Sequence, residues 1–262
     1  LASLRLRRGG MNPAIEFGSL VDIFRVFARE RPDIVHLVGL KLILYGVFVS
    51  LFFPRTIVVS AVSGLGTLFT TDHTKASLIR KGILFTLPRL LRRKNQWVIV
   101  QNNDDALLFQ KITSPERVVL IPGAGVDIDH FSPGPEPEGI ITAAIVSRML
   151  GEKGVNEVVA AARVLRERGV AIRIQLVGTP DPENPTSISE ETLQEWHNER
   201  IIEWHGHRSD IAEVWAQAHI AVLPSYREGF PKSLIEAMAS RRPAITTDTI
   251  GCREVIEDGV SG

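Results

Sequence analysis

SYREGFPKSLIEAMA, Ser225 to Ala239, shows most clearly how this chain is built. It holds two glutamates, Glu228 and Glu236, eight positions apart. The apolar run HIAVLP, His219 to Pro224, leads into it. A short apolar run, a loop and a proline read as a strand, a turn and a helix opening near Pro231. Proline is tolerated at the first helical position because its missing N–H would be unpaired there anyway. Glu228 then sits in the loop and Glu236 more than a turn inside the helix. Two carboxylates and a set of free helix amides converge at a strand end, where open α/β sheets bind ligands.

The same alternation runs outward from that stretch. After it, PAITTD (243–248) reads as another strand. Before it, IITAAIVS (140–147) and AIRIQLVG (171–178) are strands and IIEWHG is strand-like from Ile201. Between them, Val155, Val158, Val159, Ala162 and Leu165 form a helical stripe. A helix is expected at 188–199, and another capped by Ser209 and Asp210 through Gln217. The first half repeats the plan. Leu20, Phe24, Phe27 and Ala28 have helical spacing; Ile34–Val38, Thr56–Val62, 97–101 and 117–121 are strands. Helices are expected at 41–53, 74–94 and 103–112. The fold class is α/β, with two Rossmann-like domains, each a parallel sheet with helices on both faces. The proline- and glycine-rich stretch 123–139 is the linker, separating a domain at 1–122 from one at 140–262.

Composition narrows the function classes. Lys+Arg and Asp+Glu balance at 30 each, so no general field for nucleic acid or membrane is implied. The single cysteine, Cys252, excludes an internal disulfide and an all-cysteine metal site. The cleanest apolar run, Leu42 to Phe53, is shorter than the roughly 20 residues a membrane-spanning helix needs; it reads first as a buried helix and second as a segment dipping into a membrane interface. The chain opens on LASLRLRRGG without a methionine or signal-peptide pattern and stops in a turn sequence. A fragment cut at both ends, its first domain incomplete, is therefore expected.

Several further groups carry chemistry, each with a plainer reading. Arg148 and Lys153 occupy the loop after strand 140–147, just before a helix; two cations and helix amides suit a diphosphate, whereas solvated loop charges are the bland alternative. Glu228 and Glu236 suit sugar or ribose hydroxyls; otherwise Glu228 caps its helix and Glu236 faces solvent. Gly64 and Gly66 follow a strand, but Phe69 stands where a dinucleotide fingerprint needs a third glycine, which favours a tight turn. Asp127 and Asp129 match a D-x-D metal pattern, yet turn and capping roles suffice. Asp104 and Asp105 read as a helix start. No histidine pair has zinc spacing, so no metal site is expected. His36, in an apolar strand, is either a satisfied core histidine or a group on the acceptor side. The basic stretch Lys75 to Lys94 reads first as a solvated helix face and second as a peripheral contact with anionic lipid.

EGFPKSLIEAMA (228–239), SRMLGEKGV (147–155) and IPGAGVDIDHF (121–131) together resemble glycosyltransferase family 4, the group 1 transferases of the GT-B fold. HLVGLKLILYG (36–46), VSGLGTLFT (62–70) and VIVQNNDD (98–105) are similar to the bacterial branch that adds sugars to polyprenyl-diphosphate-linked glycans. The resemblance implies a retaining transferase that moves a sugar from a nucleotide diphosphate, by family habit UDP, with no cofactor and no metal. It implies that Arg148 and Lys153 hold the donor diphosphate and Glu236 the ribose. Glu228 with Gly229, Phe230 and Pro231 would hold the donor sugar, and Gly64 and Gly66 would line the cleft. His36 and Lys41 would lie on the acceptor side. The setting implied is cytoplasmic, at the inner face of the plasma membrane. An epimerase or hydrolase of the same fold would need an acid/base pair that these motifs do not supply. A non-catalytic sugar-nucleotide-binding module is the remaining alternative.

Overall fold

The computed structural model describes residues 13–63 and 86–262. The chain divides into two compact units, Leu1–Pro122 and Gly123–Gly262.

In the first unit, α1 (Pro13–Glu30) precedes β1 (Ile34–Val38), α2 (Leu40–Val49) and β2 (Ile57–Val62). A helical stretch over 86–91 (α3), β3 (Gln96–Val100), α4 (Asn103–Ile112) and β4 (Val118–Leu120) complete it. The strands lie parallel in the order β1-β2-β3-β4. Val58, Val62, Val98 and Val100 alternate inward and pack with Ile43, Val47, Leu91 and Phe109. Gly46 lets α2 lie on β1, because a Cβ there would meet the Leu37 side chain at 2.5 Å. α1 packs on α2 through Ile23, Phe27 and Val49. The two helices are also tied by Glu16, which accepts from Lys41 Nζ at 2.7 Å and from the Tyr45 hydroxyl. Lys41 and then Tyr45 hold the Glu16 carboxyl below its usual range. Burial, aided by Glu16, pushes the Tyr45 phenol up to about 12. The Asn102 side chain caps α4, accepting from Asp105 N–H at 2.8 Å, while Asn102 Nδ2 donates to the Asp105 carboxylate. That reciprocal box explains why the acidic pair starts a helix.

The second unit carries β5 (Ile141–Val146), α5 (Val155–Glu167), β6 (Ile172–Val177), α6 (Glu190–Asn198) and β7 (Glu203–Trp204). α7 (Ile211–Gln217), β8 (Ile220–Leu223), α8 (Lys232–Ala239) and β9 (Ala244–Thr246) follow. All pairings are parallel, in the order β7-β6-β5-β8-β9. Strand β5 is central and its side chains split between two cores. Ile145 joins Val155, Val158, Val159, Leu176 and Leu193 beneath α5 and α6. Ala144 joins Val214, Trp215, Leu223, Leu234 and Ala237 beneath α7 and α8. The chain runs outward from β5 to β7, then returns to the other side of β5 as β8. The order therefore reverses between β5 and β8, and such a switch point leaves a crevice outside the carboxyl ends of the two strands.

The stretch 123–139 is seated on the second unit. Phe131 is buried among Trp215 and Leu234 of its core. His219 Nδ1 accepts from Thr142 N–H at 3.0 Å, so its Nε2–H donates to Pro137 O at 2.8 Å. Arg242, 4% exposed, donates to Trp215 O at 2.9 Å, Ala216 O at 3.3 Å and Pro135 O at 3.0 Å.

Some expectations are corrected. The helix expected at 41–53 is α-helical only to Val49 and continues as a 3-10 turn, Ser50–Phe52, where Ser50 Oγ bonds back to Val47 O. The strand after Ile201 is confined to Glu203–Trp204, because Ile201 and Ile202 are spent on the core and Gly206 turns the chain. Asp210 precedes α7 without capping it; Arg208 takes its carboxylate. Pro231 is the residue before α8 rather than its first, with extended backbone. His36 is exposed on β1, which removes the core-histidine reading. Gly64, Gly66 and the basic stretch through residue 85 lie outside the described residues. Within the remainder of that stretch, Arg92 donates to Ile112 O and Arg93 to Ser50 Oγ.

Arg242 gives the fold a direct test. Arg242→Met removes a buried cation and the side-chain donor to the Trp215, Ala216 and Pro135 carbonyls, so urea unfolding should show a loss of about 2–4 kcal/mol. A loss below about 0.5 kcal/mol, the range of a neutral surface change, would contradict the packing described.

Candidate functional site

Three loops meet at the carboxyl ends of the second sheet. The loop after β5 turns through a 3-10 segment, Gly151–Lys153, into α5. The loop after β8 contains Ser225 to Pro231. The loop after β9 contains Thr247 and Thr249. Gly154 has φ 75°, and a Cβ there would overlap the carbonyl of Pro224 at the end of β8. Gly251 has φ 84°, and a Cβ there would lie 2.6 Å from Glu228 O and 2.7 Å from Gly229 O. Only glycine permits both the dihedral and the approach. Backbone bonds close the frame: Tyr226 N–H to Glu152 O at 3.0 Å and Glu228 N–H to Ile250 O at 3.0 Å.

That frame brings Lys153 and Glu228 together across the β5/β8 switch point. Lys153 Nζ donates to Glu228 Oε1 at 2.5 Å, and Ser225 Oγ donates to the same oxygen at 2.7 Å. The lysine and glutamate side chains are only 17% and 12% exposed. Neither plain reading of the glutamates holds. No side chain caps α8, and Glu228 is engaged elsewhere. Glu236 is 6% exposed rather than on a solvent face, with Lys232 Nζ 3.3 Å from Oε1. Phe230 packs beneath the start of 123–139: a Cβ on Gly123 would lie 2.7 Å from its ring. Gly229 and Pro231 are buried in the same loop.

Arg148 is placed on the loop after β5 but is held by Asp181 from the loop after β6, at 2.5 Å. The loop 179–187 is itself tied to the loop after β5. Met149 N–H donates to Thr179 O, Gly151 N–H to Thr186 O and Ile188 N–H to Met149 O. Both cations thus carry a carboxylate partner in the structure. Lys41 is paired with Glu16 and His36 lies exposed on β1; both residues expected on the acceptor side belong to the first unit. Asp127 accepts from the N–H groups of Asp129 and His130, an Asx turn. Among the described residues no group of three or more His, Cys, Asp or Glu side chains is arranged to hold a metal. No helix among them is long and apolar enough to cross a membrane.

A groove of about 720 Å³ opens at the opposite edge of the same sheet, lined by Ile140, Arg166, Ile172, Arg173, Arg200 and Glu203. Its cations do structural work: Arg166 donates to Glu199 O at 2.9 Å and Arg173 pairs with Glu203 at 3.2 Å. The carboxyl ends of α5 and α6 lie there, and helix C-termini disfavour anions.

Sequence reasoning did not single out Ser225, Asp181 or Cys252 as parts of this region. Ser225 was legible only as a small polar residue just after a strand. Cys252 is fully buried, and its burial pushes the thiol up, against smaller opposing effects of Thr246 and Thr249. A raised thiol pKa means the unfolded chain ionises first, so this group lowers stability only as pH climbs past the ordinary thiol range of about 8.5. The native chain should resist a thiol reagent at pH 8 and label fully in denaturant; rapid native labelling would contradict the packing.

The family model described as "Glycosyl transferases group 1" matches residues 141–262. A Campylobacter jejuni N,N'-diacetylbacillosaminyl-diphospho-undecaprenol alpha-1,3-N-acetylgalactosaminyltransferase is 25% identical, covering 97% of this chain and 69% of that protein. An Escherichia coli UDP-Gal:alpha-D-GlcNAc-diphosphoundecaprenol alpha-1,3-galactosyltransferase is 22% identical, covering 93% and 65%. The chain shares its fold with Anabaena HepE, solved with UDP-glucose, at a TM-score of 0.73 and 19% identity, covering 96% of this chain and 69% of that one. The parallel α/β plan of both units is the one expected from the GT-B resemblance. Residues 141–262, with the five-stranded sheet, the loop after β5 and helix α8, are thus similar to the group 1 glycosyl transferases.

Proposed function

We propose that the chain transfers a sugar, with retention, from a nucleotide-diphosphate donor to a glycan or polyprenyl-diphosphate-linked acceptor in cell-envelope polysaccharide synthesis. The observation that carries the reading is the Lys153–Glu228 pair at the β5/β8 switch point, beside the buried Glu236. The named relatives support the choice of UDP as nucleotide and of a diphospho-undecaprenol acceptor.

In this reading the donor diphosphate lies on the loop after β5, against Lys153, the first-turn amides of α5 and Arg148. The phosphates compete with Asp181 for the guanidinium. Glu236 accepts from the ribose hydroxyls, and Glu228 accepts from the donor sugar. The bond between the anomeric carbon and the β-phosphate oxygen breaks as the acceptor hydroxyl attacks on the same face. The hydroxyl proton passes to the departing phosphate. Positive charge grows at the anomeric carbon beside Glu228, and negative charge grows on the phosphate beside the cations, where fixed groups are most effective. No protein nucleophile is required, and the scheme uses no metal. A peripheral contact with the membrane carrying the acceptor belongs to the same proposal.

Calorimetry with UDP and uridine, and transfer assays with several UDP-sugars and a polyprenyl-diphosphate-linked acceptor, test the reading. Arg148→Ala should weaken UDP but not uridine. Glu236→Gln should weaken both by about tenfold, the scale of losing a charged hydrogen-bonding partner. Unchanged affinity in Glu236→Gln would remove its role. Sugar release without dependence on acceptor would indicate a hydrolase, and tight binding without turnover a binding module.

A further inference from the structure

We propose that Ser225 is a positioning residue that reserves one carboxylate oxygen of Glu228 for the donor sugar. The inference rests on the reading of the β5/β8 crevice as a donor site and goes beyond it by assigning a residue outside the glutamate pair.

Ser225 is fully buried at the end of β8. Its backbone carbonyl accepts from Thr247 Oγ1 at 2.5 Å and from Thr249 Oγ1 at 3.2 Å, so two side chains from the loop after β9 fix its position. From there its hydroxyl donates to Glu228 Oε1 at 2.7 Å. Lys153 Nζ donates to the same oxygen from the loop after β5. An ionised carboxylate offers about four lone-pair sites on two oxygens. The two donors fill the sites on Oε1 and fix the plane of the carboxylate, leaving Oε2 as the acceptor for a ligand. One lysine alone would not do this, because a rotating ammonium is a point charge without a preferred plane. A flexible carboxylate would have to be ordered by the sugar itself, at a cost in affinity; the serine has met that cost in advance. The ligand class that benefits is a hexosyl group presenting a pair of hydroxyls to one oxygen, not the nucleotide.

The test compares UDP with a UDP-hexose that the wild-type chain binds more tightly than UDP. Ser225→Ala should leave UDP affinity within about twofold and reduce the preference for the UDP-hexose by about three- to tenfold, the scale of one neutral hydrogen bond. In a Glu228→Ala background, which removes the acceptor of the serine hydroxyl, the same substitution should change nothing further, which a merely structural role would not produce. Ser225→Thr, which keeps the hydroxyl, should restore the preference. An unchanged preference in Ser225→Ala, or an equal loss with and without Glu228, overturns the proposal. Loss of UDP binding in Ser225→Ala also overturns it, because the hydroxyl would then be a requirement of the fold. A wild-type chain that binds UDP but gains nothing from the sugar overturns this inference and leaves the nucleotide site standing. A wild-type chain that binds neither overturns the donor-site reading itself.

Discussion

The ion pair between Lys153 and Glu228 is the interaction on which the site depends. It joins the loop after β5 to the loop after β8, the two strands between which the sheet reverses order. Two charges this far from water are stable only when well paired, and removing one partner of such a pair is costly. The surrounding backbone is shaped to allow the contact. Gly154 lets the β5 loop come down on Pro224, and Gly251 lets the β9 loop come down on Glu228. Ser225, held by Thr247 and Thr249, supplies the second donor. The crevice is therefore an arrangement of three loops around one salt bridge, on a rigid five-stranded sheet.

The charges of the site are also nearly balanced by construction. Each expected phosphate-binding cation already has an anion: Asp181 for Arg148 and Glu228 for Lys153. The half-exposed Arg148 pair is weak by the usual measure of surface salt bridges and can exchange its carboxylate for a phosphate. The more buried Lys153 pair can keep Glu228 while Nζ still offers further protons to a ligand. Under the proposed function, a diphosphate would meet one cation it must take from a partner and one it can share.

Most of the fold was legible because both sheets are parallel and buried. Continuous apolar strands separated by amphipathic helices leave little room for another reading, and 103–112 was even correct to the residue. Boundaries failed where side chains chose partners that local sequence does not reveal. Asp210 looks like a helix cap but is taken by Arg208 two residues earlier. His36 looks buried by its apolar neighbours, yet β1 presents it outward. The linker looks like a free spacer by composition, yet Arg242 and His219, more than 80 residues away, bind its carbonyls. In the site, the glutamate spacing and the Arg148/Lys153 loop announced themselves. The pairing of each cation with a particular carboxylate did not, because it depends on strand order. Ser225 was invisible for the same reason: a serine after a strand carries no mark of what it will face.

A crystal structure of the chain with UDP should show the phosphates within hydrogen-bonding distance of Lys153 Nζ, with the ribose hydroxyls on Glu236, outside the carboxyl ends of β5 and β8. UDP bound instead in the groove of Arg166, Arg173 and Arg200 at the opposite edge of the sheet would contradict the proposed function.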